Sequence, residues 1–416
     1  MATIMRHTLL FIALALMVVS CGKSGNDNEK PEGPNTLMPI RLSSVHQSFV
    51  TAGNNFAFDF IKAIDTEAAK KGDDYIVSPL SMQFLLGMIL NGAKGQTASE
   101  ICDVLGYGSG QTAEVNAFCK LMLGSLPAMD KKTKLSIANA IYVDEGYDLL
   151  PAYKDSVANY FDAAVANLRF ADGKASADKI NKWCSDHTNG MIDKILDETT
   201  EDMLAYLLDA MYFKSEWMNK FDKSATRELD FTPETGTARK LKMMCQEHSY
   251  MYGEDKMMQA VRLPYGNAAF SMTVFLPKTG FKVSDIVPFL PTAWNGLMEF
   301  NYQVDLQLPR FQTKYHILLN DILSAMGMSS AFDKLSADFS AMSPDALSLS
   351  FVQQDAAIKV DESGSEAAVV SSAGVDKVTS ASPAGHVSFH ADHPFLYIIS
   401  ENTSGVILFA GKYSGK

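Results

Sequence analysis

Three histidines near the carboxyl terminus have a spacing that metal sites use. His386, His390 and His393 stand at i, i+4 and i+7, which on a helix would bring three imidazole rings, common zinc ligands, to one face. A helix is disfavoured, because Pro383 precedes the run, Pro394 follows it and the residues between alternate as in a strand. A strand would scatter the rings over two faces. We therefore expect no metal here.

Other catalytic constellations are absent from the sequence. It contains no G-x-S-x-G elbow, phosphate-binding loop, Rossmann glycine pattern or H-E-x-x-H motif. Cys102, Cys119, Cys184 and Cys245 are widely spaced without a C-x-x-C pair, which predicts buried free thiols rather than a metal site or a disulfide framework. We predict that the chain is not an enzyme and that it uses no cofactor.

The segment from residue 355 to residue 378 has an unusual composition. Residues 356–360 are typical of a strand, and residues 361–364 are typical of a turn. The following stretch alternates like a strand but consists of small side chains, so little apolar bulk would hold it in a core. This pattern predicts a strand that can move in and out of a sheet. Its uncharged face consists of Ser365, Ala367, Val369, Ser371, Ala373 and Val375.

The amino terminus carries export signals. An apolar run at residues 8–19 follows Arg6 and His7, and it is too short to span a bilayer, so residues 1–20 are predicted to be a signal peptide. Ser20 before Cys21 resembles a bacterial lipobox, which predicts lipidation of Cys21 and anchoring to the cell envelope; the alternative is an ordinary signal peptide. Residues 21–40 are predicted to be a flexible tether. The side of the membrane stays open.

Composition limits the remaining possibilities. Of the 416 residues, 47% are hydrophobic, and neither an internal repeat nor a second linker occurs, so residues 41–416 are predicted to form one domain. The formal net charge of -12 argues against nucleic acid or an anionic membrane surface as the main partner. We expect a monomer.

Hydrophobic periodicity predicts helices first and strands later, which is an α+β fold. Helices are expected at residues 55–68, 81–91, 97–105, 112–126, 151–161 and 175–196. Strands are expected at residues 136–142, 204–212, 257–263, 270–276, 302–308, 348–352, 356–360, 395–400 and 406–411.

Several long motifs resemble one family, the serpins. VDESGSEAAVV at residues 360–370 resembles the hinge of the serpin reactive-centre loop, and FHADHPFLYIISENTSGVILFAGKY at 389–413 resembles the family's carboxy-terminal signature. Matching blocks extend over residues 54–413. The resemblance implies a large central mixed β-sheet, two smaller sheets, about nine helices and an exposed reactive-centre loop at about residues 362–388.

The resemblance also implies a function. In this family the loop is bait for a serine protease, which becomes trapped as an acyl-enzyme when the cleaved loop inserts into the central sheet. Papain-type cysteine proteases are implied as secondary targets. The alternative is a non-inhibitory binding or chaperone-like module on the same fold. The hinge that the resemblance implies comprises Glu362, Gly364, Ser365, Glu366, Ala367, Ala368, Val369 and Val370. Ser365 to Ala368 fit the inhibitory pattern, whereas Val369 and Val370 are larger than the usual alanine-like residues, although their β-branching favours a strand. The alternative is a loop that only resembles a hinge.

The gate through which the loop enters departs from the family pattern. Ser78 and Ser81 are kept, but Asp209 and Gln354 stand where the family commonly has an asparagine and a histidine. We predict a hydrogen bond from the Gln354 amide to the Asp209 carboxylate; the alternative is a gate of altered stability. Trp217, which the family places under the loop's entry point, is retained.

Two peptide bonds are candidates for cleavage. Counting from Gly364 as in the family gives Val378–Thr379, which suits elastase-like proteases. The preceding bond, Lys377–Val378, suits trypsin-like proteases. The loop is longer than usual, so both bonds stay open, as does the alternative that Lys377 is only a solvated loop residue.

Overall fold

The computed structural model describes residues 35–201, 203, 205–365 and 383–416. The signal peptide and Cys21 lie outside these residues. The domain begins at Asn35, and Leu37 and Ile40 pack against the hydrophobic core. The sequence predicts a tether up to residue 40, whereas the compact unit already includes residues 35–40, of which Leu37 and Ile40 are partly buried and Met38 is exposed.

Nine α-helices form within the described residues. The residue before the second helix, Ser78, caps it, because its Oγ accepts a hydrogen bond from the Ser81 amide and Pro79 occupies the first turn. The helices are α1 (Ser44–Lys71), α2 (Pro79–Gly92), α3 (Gly95–Leu105), α4 (Thr112–Ser125), α5 (Pro151–Phe161), α6 (Gly173–His187), α7 (Val283–Ile286), α8 (Leu290–Gly296) and α9 (Asn320–Ala325). Over the described ranges, no helix has the length and apolar character needed to cross a membrane.

The strands of the described chain are concentrated in its second half. They are β1 (Tyr75–Val77), β2 (Lys134–Asp144), β3 (Ala163–Leu168), β4 (Ala205–Glu216), β5 (Arg227–Phe231), β6 (Arg239–Glu254), β7 (Met258–Pro264), β8 (Phe270–Pro277), β9 (Phe300–Pro309), β10 (Phe311–Leu318), β11 (Gln353–Asp361), β12 (Gly364–Ser365), β13 (His386–His390), β14 (Phe395–Glu401) and β15 (Ile407–Tyr413).

The central sheet positions the hinge. Its described strands have the order β10-β11-β12-β4-β2-β3, and all neighbours are antiparallel except the parallel pair β2 and β3. Helix α2 packs against β4. On the other side, Ile180 and Cys184 of α6 form a buried cluster with Tyr206 and Leu208 of β4. The sheet is therefore covered by helices on both faces.

The other strands form one continuous sheet rather than two separate small ones. Its order over the described residues is β1-β15-β14-β8-β7-β6-β9-β13, with β5 also paired to β6. The 16-residue strand β6 joins β7 and the strands beyond it, on one side, to β9 and β13 on the other. Strand β5 pairs with its first five residues, β9 with residues 243–252 and β7 with its last four residues. The two smaller sheets implied by the resemblance are therefore linked through β6.

Three predicted elements differ clearly from the structure. Helix α1 begins at Ser44 rather than at residue 55, because the Ser43 side chain caps it there by accepting from the His46 amide. Helix α6 ends at His187 rather than at residue 196, because Asn189 has a positive φ of 54° that stops the helix. The predicted strand at residues 348–352 does not form. Its backbone bonds to loops instead: the Leu349 amide donates to Ala331, and the Leu319 amide donates to Val352.

Candidate functional site

The hinge is already partly a strand of the central sheet. After β11 the chain turns at Glu362 and Ser363 and returns as β12, which lies between β11 and β4. Ser365 stands opposite Val360 of β11 and opposite Ser215 of β4, and it is only 1% exposed. The first two residues of the hinge therefore occupy a strand position between β11 and β4.

Gly364 is required at this turn. Its φ is 154°, and a Cβ at this position would lie 2.0 Å from the Ser215 carbonyl oxygen and 2.7 Å from Glu216 Cα. Both contacts are with backbone, which cannot rotate away. Any side chain would therefore force the two strands apart.

Two aromatic residues, Tyr265 and Trp217, contact Ser365 and the turn that precedes it. Ser365 Oγ and the Tyr265 hydroxyl are 2.6 Å apart, and the Tyr265 ring stacks on Trp217 at 4.4 Å between centroids. The Trp217 amide donates to the Ser363 carbonyl at 2.8 Å, and its indole Nε1 donates to the Asp361 carbonyl at 2.9 Å. The structure thus places Trp217 directly against the hinge turn.

An ion pair between the partly exposed Arg310 and the buried Glu362 lies at the base of the hinge. The Glu362 carboxylate is 2% exposed and accepts hydrogen bonds from Arg310 Nε at 2.6 Å, from Arg310 Nη2 and from Thr226 Oγ1. Burial acts to raise the pKa of Glu362, but the bonds from Arg310 and Thr226 outweigh it and hold the pKa below its usual range. Sequence reasoning missed both partners; the available signal was an arginine between the apolar residues Pro309 and Phe311.

We expect Glu362→Gln to lower the free energy of unfolding by about 2 kcal/mol near pH 7, because a guanidinium loses its charged partner. Since the pKa of Glu362 is lowered in the folded protein, this stability is present above about pH 4.3 and is lost as the pH falls through the lowered pKa. Urea unfolding at pH 7 and pH 3.5 measures it, with exposed Glu299→Gln as control. An equal difference at both pH values would contradict the ion pair.

The two strands on either side of the hinge are not paired with each other in the described residues. Strand β4 pairs along its outer edge with β2, and β11 pairs along its outer edge with β10. Toward each other they are bridged by β12, at the end where the hinge enters. The facing edges from Ala205 to Lys214 and from Gln353 to Lys359 therefore pair with no described strand.

The predicted gate residues come together at the start of α2. Besides capping α2, Ser78 Oγ donates to the Leu408 carbonyl at 2.7 Å. Ser81 Oγ donates to Asp209 Oδ1. The second oxygen of Asp209, Oδ2, is buried and has no hydrogen-bond partner among the described residues. Burial is the main cause that raises the pKa of Asp209 to about 7.

The predicted bond between Gln354 and Asp209 is wrong. The Gln354 amide makes two bonds to the backbone of Ser78, since its Nε2 donates to the Ser78 carbonyl at 2.9 Å and its Oε1 accepts from the Ser78 amide at 2.9 Å. This two-point pairing uses both ends of the amide. Among the described residues, Gln354 and Asp209 share no hydrogen bond, and the Asp209 carboxyl is bonded through Ser81.

A cavity of about 80 Å³ lies beside the gate. It is lined mainly by apolar side chains of α2, β4 and the segment before β11, including Leu85, Leu207 and Phe351. Two polar residues on its wall, Asp209 and Tyr206, have buried oxygens without a described partner. The cavity therefore borders the edges of β4 and β11 that pair with no described strand.

Two groups of residues from the sequence analysis remain: the histidines considered as metal ligands, and the hinge and cleavage-site residues beyond Ser365. Among the described residues, no cluster of three metal ligands occurs; His386 and His390 of β13 instead bond to Glu247 and Asp305 at 3.0 and 2.8 Å. His393, after the strand, bonds to the Pro277 carbonyl and to Asp392. The second group lies outside the described residues: Glu366, Ala367, Ala368, Val369, Val370, Lys377, Val378 and Thr379.

Comparisons with known proteins identify the family. A family model described as serpin (serine protease inhibitor) matches residues 51–415. The chain is a serpin. Human serpin B4 is 31% identical over 392 residues, which cover 88% of this chain and 99% of that relative. Serpins are generally inhibitors of proteases rather than enzymes.

Solved structures agree with this fold. The native thermophilic serpin tengpin matches with a TM-score of 0.78 and 27% identity over 92% of this chain and 97% of its own. Thyroxine-binding globulin, in a complex with thyroxine, matches with a TM-score of 0.78 and 25% identity over 88% of this chain and 99% of its own. The α+β serpin fold predicted from the sequence is confirmed.

Proposed function

We propose that this serpin is a suicide-substrate inhibitor of serine proteases. The observation that carries the proposal is the position of the hinge: Gly364 and Ser365 already form a strand between β11 and β4, and beyond Ser365 the facing edges of these strands pair with no described strand. Strand edges that pair with no described strand present backbone donors and acceptors that a further strand can bond.

The register of the hinge predicts what an inserted loop would meet. Asp209 lies six residues before Ser215 on β4, and Gln354 lies six residues before Val360 on β11. In a strand that continues antiparallel from Ser365, the sixth residue along is Ser371. Insertion would thus place Ser371 between Asp209 and Gln354, with its hydroxyl able to donate to the unpartnered Asp209 Oδ2.

The direction of the side chains supports this pairing. Ser365 faces the interior, where it meets Tyr265, and strand alternation puts Ser371 on the same face. Asp209 and Gln354 also face inward, since they contact Ser81 and Ser78 at the start of α2. The uncharged face predicted from the sequence is therefore the face that would be buried.

In the proposed reaction the protease cuts the loop and stays attached. The protease's serine Oγ attacks the carbonyl carbon of residue 377 or 378, the following peptide bond breaks, and the new α-amino group takes up a proton. An ester then joins the protease to the loop. A strand from Ser365 to Val378 is roughly 46 Å long, so its insertion would carry the protease to the far end of the sheet. Distortion of the protease's oxyanion hole would then slow hydrolysis of the ester.

We predict that the choice of bond differs between proteases. Lys377→Ala should lower trapping of a trypsin-like protease by at least about tenfold and leave trapping of an elastase-like protease at Val378–Thr379 unchanged, because a trypsin-like pocket is built to pair a cationic side chain. Sequencing the released carboxy-terminal peptide identifies the bond. Lys359→Ala, at an exposed lysine of β11, is the control. Equal losses with both proteases would contradict this assignment.

A second candidate function is a binding module without trapping. The match to thyroxine-binding globulin in a complex with thyroxine favours it, because the same fold there holds a small molecule. Under this alternative a protease would cut the loop and retain its activity.

We further propose that the protein is exported and anchored by a lipid on Cys21 to the bacterial cell envelope. The support is the apolar run at residues 8–19 followed by Ser20 and Cys21. Metabolic labelling with a fatty-acid analogue tests this: Cys21→Ser should lose the label, and labelling of that variant would contradict the proposal.

A further inference from the structure

The first residue of the domain is bound to the region that holds the hinge. Asn35 Nδ2 donates to Asp130 Oδ1 at 2.6 Å. Asn35 Oδ1 accepts from the Lys131 amide at 3.1 Å and from Asn267 Nδ2 at 3.5 Å. Asn35 therefore connects two loops that are far apart in the sequence.

Asp130 is the centre of this arrangement. It is 1% exposed, and its carboxylate accepts hydrogen bonds from the Lys132 amide at 2.9 Å and from Thr133 Oγ1 at 2.7 Å, in addition to the bond from Asn35. A buried carboxylate needs such donors, since each missing donor leaves charge unsolvated. Asn35 is thus one of the donors that hold the Asp130 carboxylate in place.

Two routes lead from Asp130 to Ser365. On the first, Thr133 Oγ1 lies 2.6 Å from Ser215 Oγ, and Ser215 is the β4 residue opposite Ser365. On the second, the Asn267 amide donates to Asp130 Oδ2 at 3.4 Å.

The second route continues through a close contact. A Cβ on Gly266 would lie 1.8 Å from Asp130 Oδ2, so this turn packs directly on the carboxylate. The Gly266 amide donates to the Glu216 carbonyl at 2.8 Å, and the adjacent Tyr265 bonds to Ser365. Both routes end at Ser365, the second residue of β12.

We propose that Asn35 is a positioning residue for the hinge, so that the amino-terminal segment controls how firmly Ser365 is seated. The effect on inhibition rests on the proposed function. Loss of Asn35 loosens the seat, slows insertion after cleavage and lets more loop be cut per protease trapped. A proteolytic cut before Asn35 leaves the inhibitor unchanged, and a cut after it weakens the inhibitor.

The test compares the chain from residue 22 with Asn35→Ala, and truncations that begin at residue 35 and at residue 37. The control is Met38→Ala, at a side chain that is 75% exposed. The rate of hydrogen exchange of the backbone amides at residues 361–365 measures how firmly the hinge is held, and this measurement needs no protease. The number of inhibitor molecules consumed per protease reports the consequence.

We expect about tenfold faster exchange in Asn35→Ala and in the chain from residue 37, and about fivefold more inhibitor consumed, as for loss of one charge-assisted hydrogen bond. The chain from residue 35 and Met38→Ala should match the parent. Unchanged exchange in Asn35→Ala would overturn the inference. If no form traps a protease, the proposed function fails, while the exchange measurement still decides the role of Asn35.

Discussion

Ser365→Arg should convert the protein from an inhibitor into a substrate. Ser365 is buried between β4 and β11, and its hydroxyl bonds to Tyr265. An arginine there would place an unpaired charge beneath the sheet, at a cost of roughly 3 kcal/mol or more. Since each 1.4 kcal/mol is about tenfold, the ratio of trapping to hydrolysis should fall by about 100-fold or more.

The measurement is the fraction of protease that remains inactive after mixing with an excess of the variant. Ser340→Arg, at an exposed serine outside the hinge, is the matched control and should trap like the parent. Loop cleavage should continue in both variants, because the cleaved bonds lie beyond the hinge. Full trapping by Ser365→Arg would show that insertion does not begin at this residue.

Asp209→Asn should change how stability depends on pH. The pKa of Asp209 is raised to about 7, chiefly by burial, against about 3.9 in an unfolded chain. The folded protein therefore binds the proton more strongly between pH 4 and pH 7. The free energy of unfolding therefore falls by up to about 4 kcal/mol as the pH rises through this range, and it stays level above the range.

Asparagine keeps the shape of the neutral carboxyl and cannot ionise. The variant should therefore match the parent near pH 4 and be more stable by about 4 kcal/mol at pH 8. Burial also raises the pKa values of Asp65 and Asp74, so the parent's pH profile alone is ambiguous. The difference between parent and variant isolates Asp209. A constant difference from pH 4 to pH 8 would contradict a carboxyl that is protonated in the folded protein.

Local composition was enough to predict the strand that ends at Asp361 and the turn after it, whereas the hinge itself was named by resemblance. The small residues after Gly364, the turn at residues 361–364 and the alternating uncharged face all follow from sequence periodicity. The structure explains Gly364 in more detail, because the limiting contacts are with the backbone of β4. The register that brings the hinge opposite Ser215 and Val360 was not predictable, since it depends on pairing between strands far apart in the chain.

The gate shows what a sequence cannot decide. Its residues were found by resemblance, but the choice between two hydrogen-bond partners for Gln354 depends on distances at the start of α2. There the backbone amide of Ser78, and its carbonyl, which also accepts from the Met82 amide, bond to both ends of the Gln354 side chain. The link from Asn35 to Asp130 is similarly invisible, because it spans 95 positions and involves residue types that are common in loops.

The most direct test of the central claim is a denaturing gel of the chain from residue 22 mixed with trypsin-like and elastase-like proteases. Covalent trapping predicts a band at the summed mass of protease and cleaved inhibitor that survives denaturation, together with a released peptide that begins at Val378 or Thr379. Loop cleavage with no such band and undiminished protease activity would contradict the inhibitor mechanism and favour the binding module.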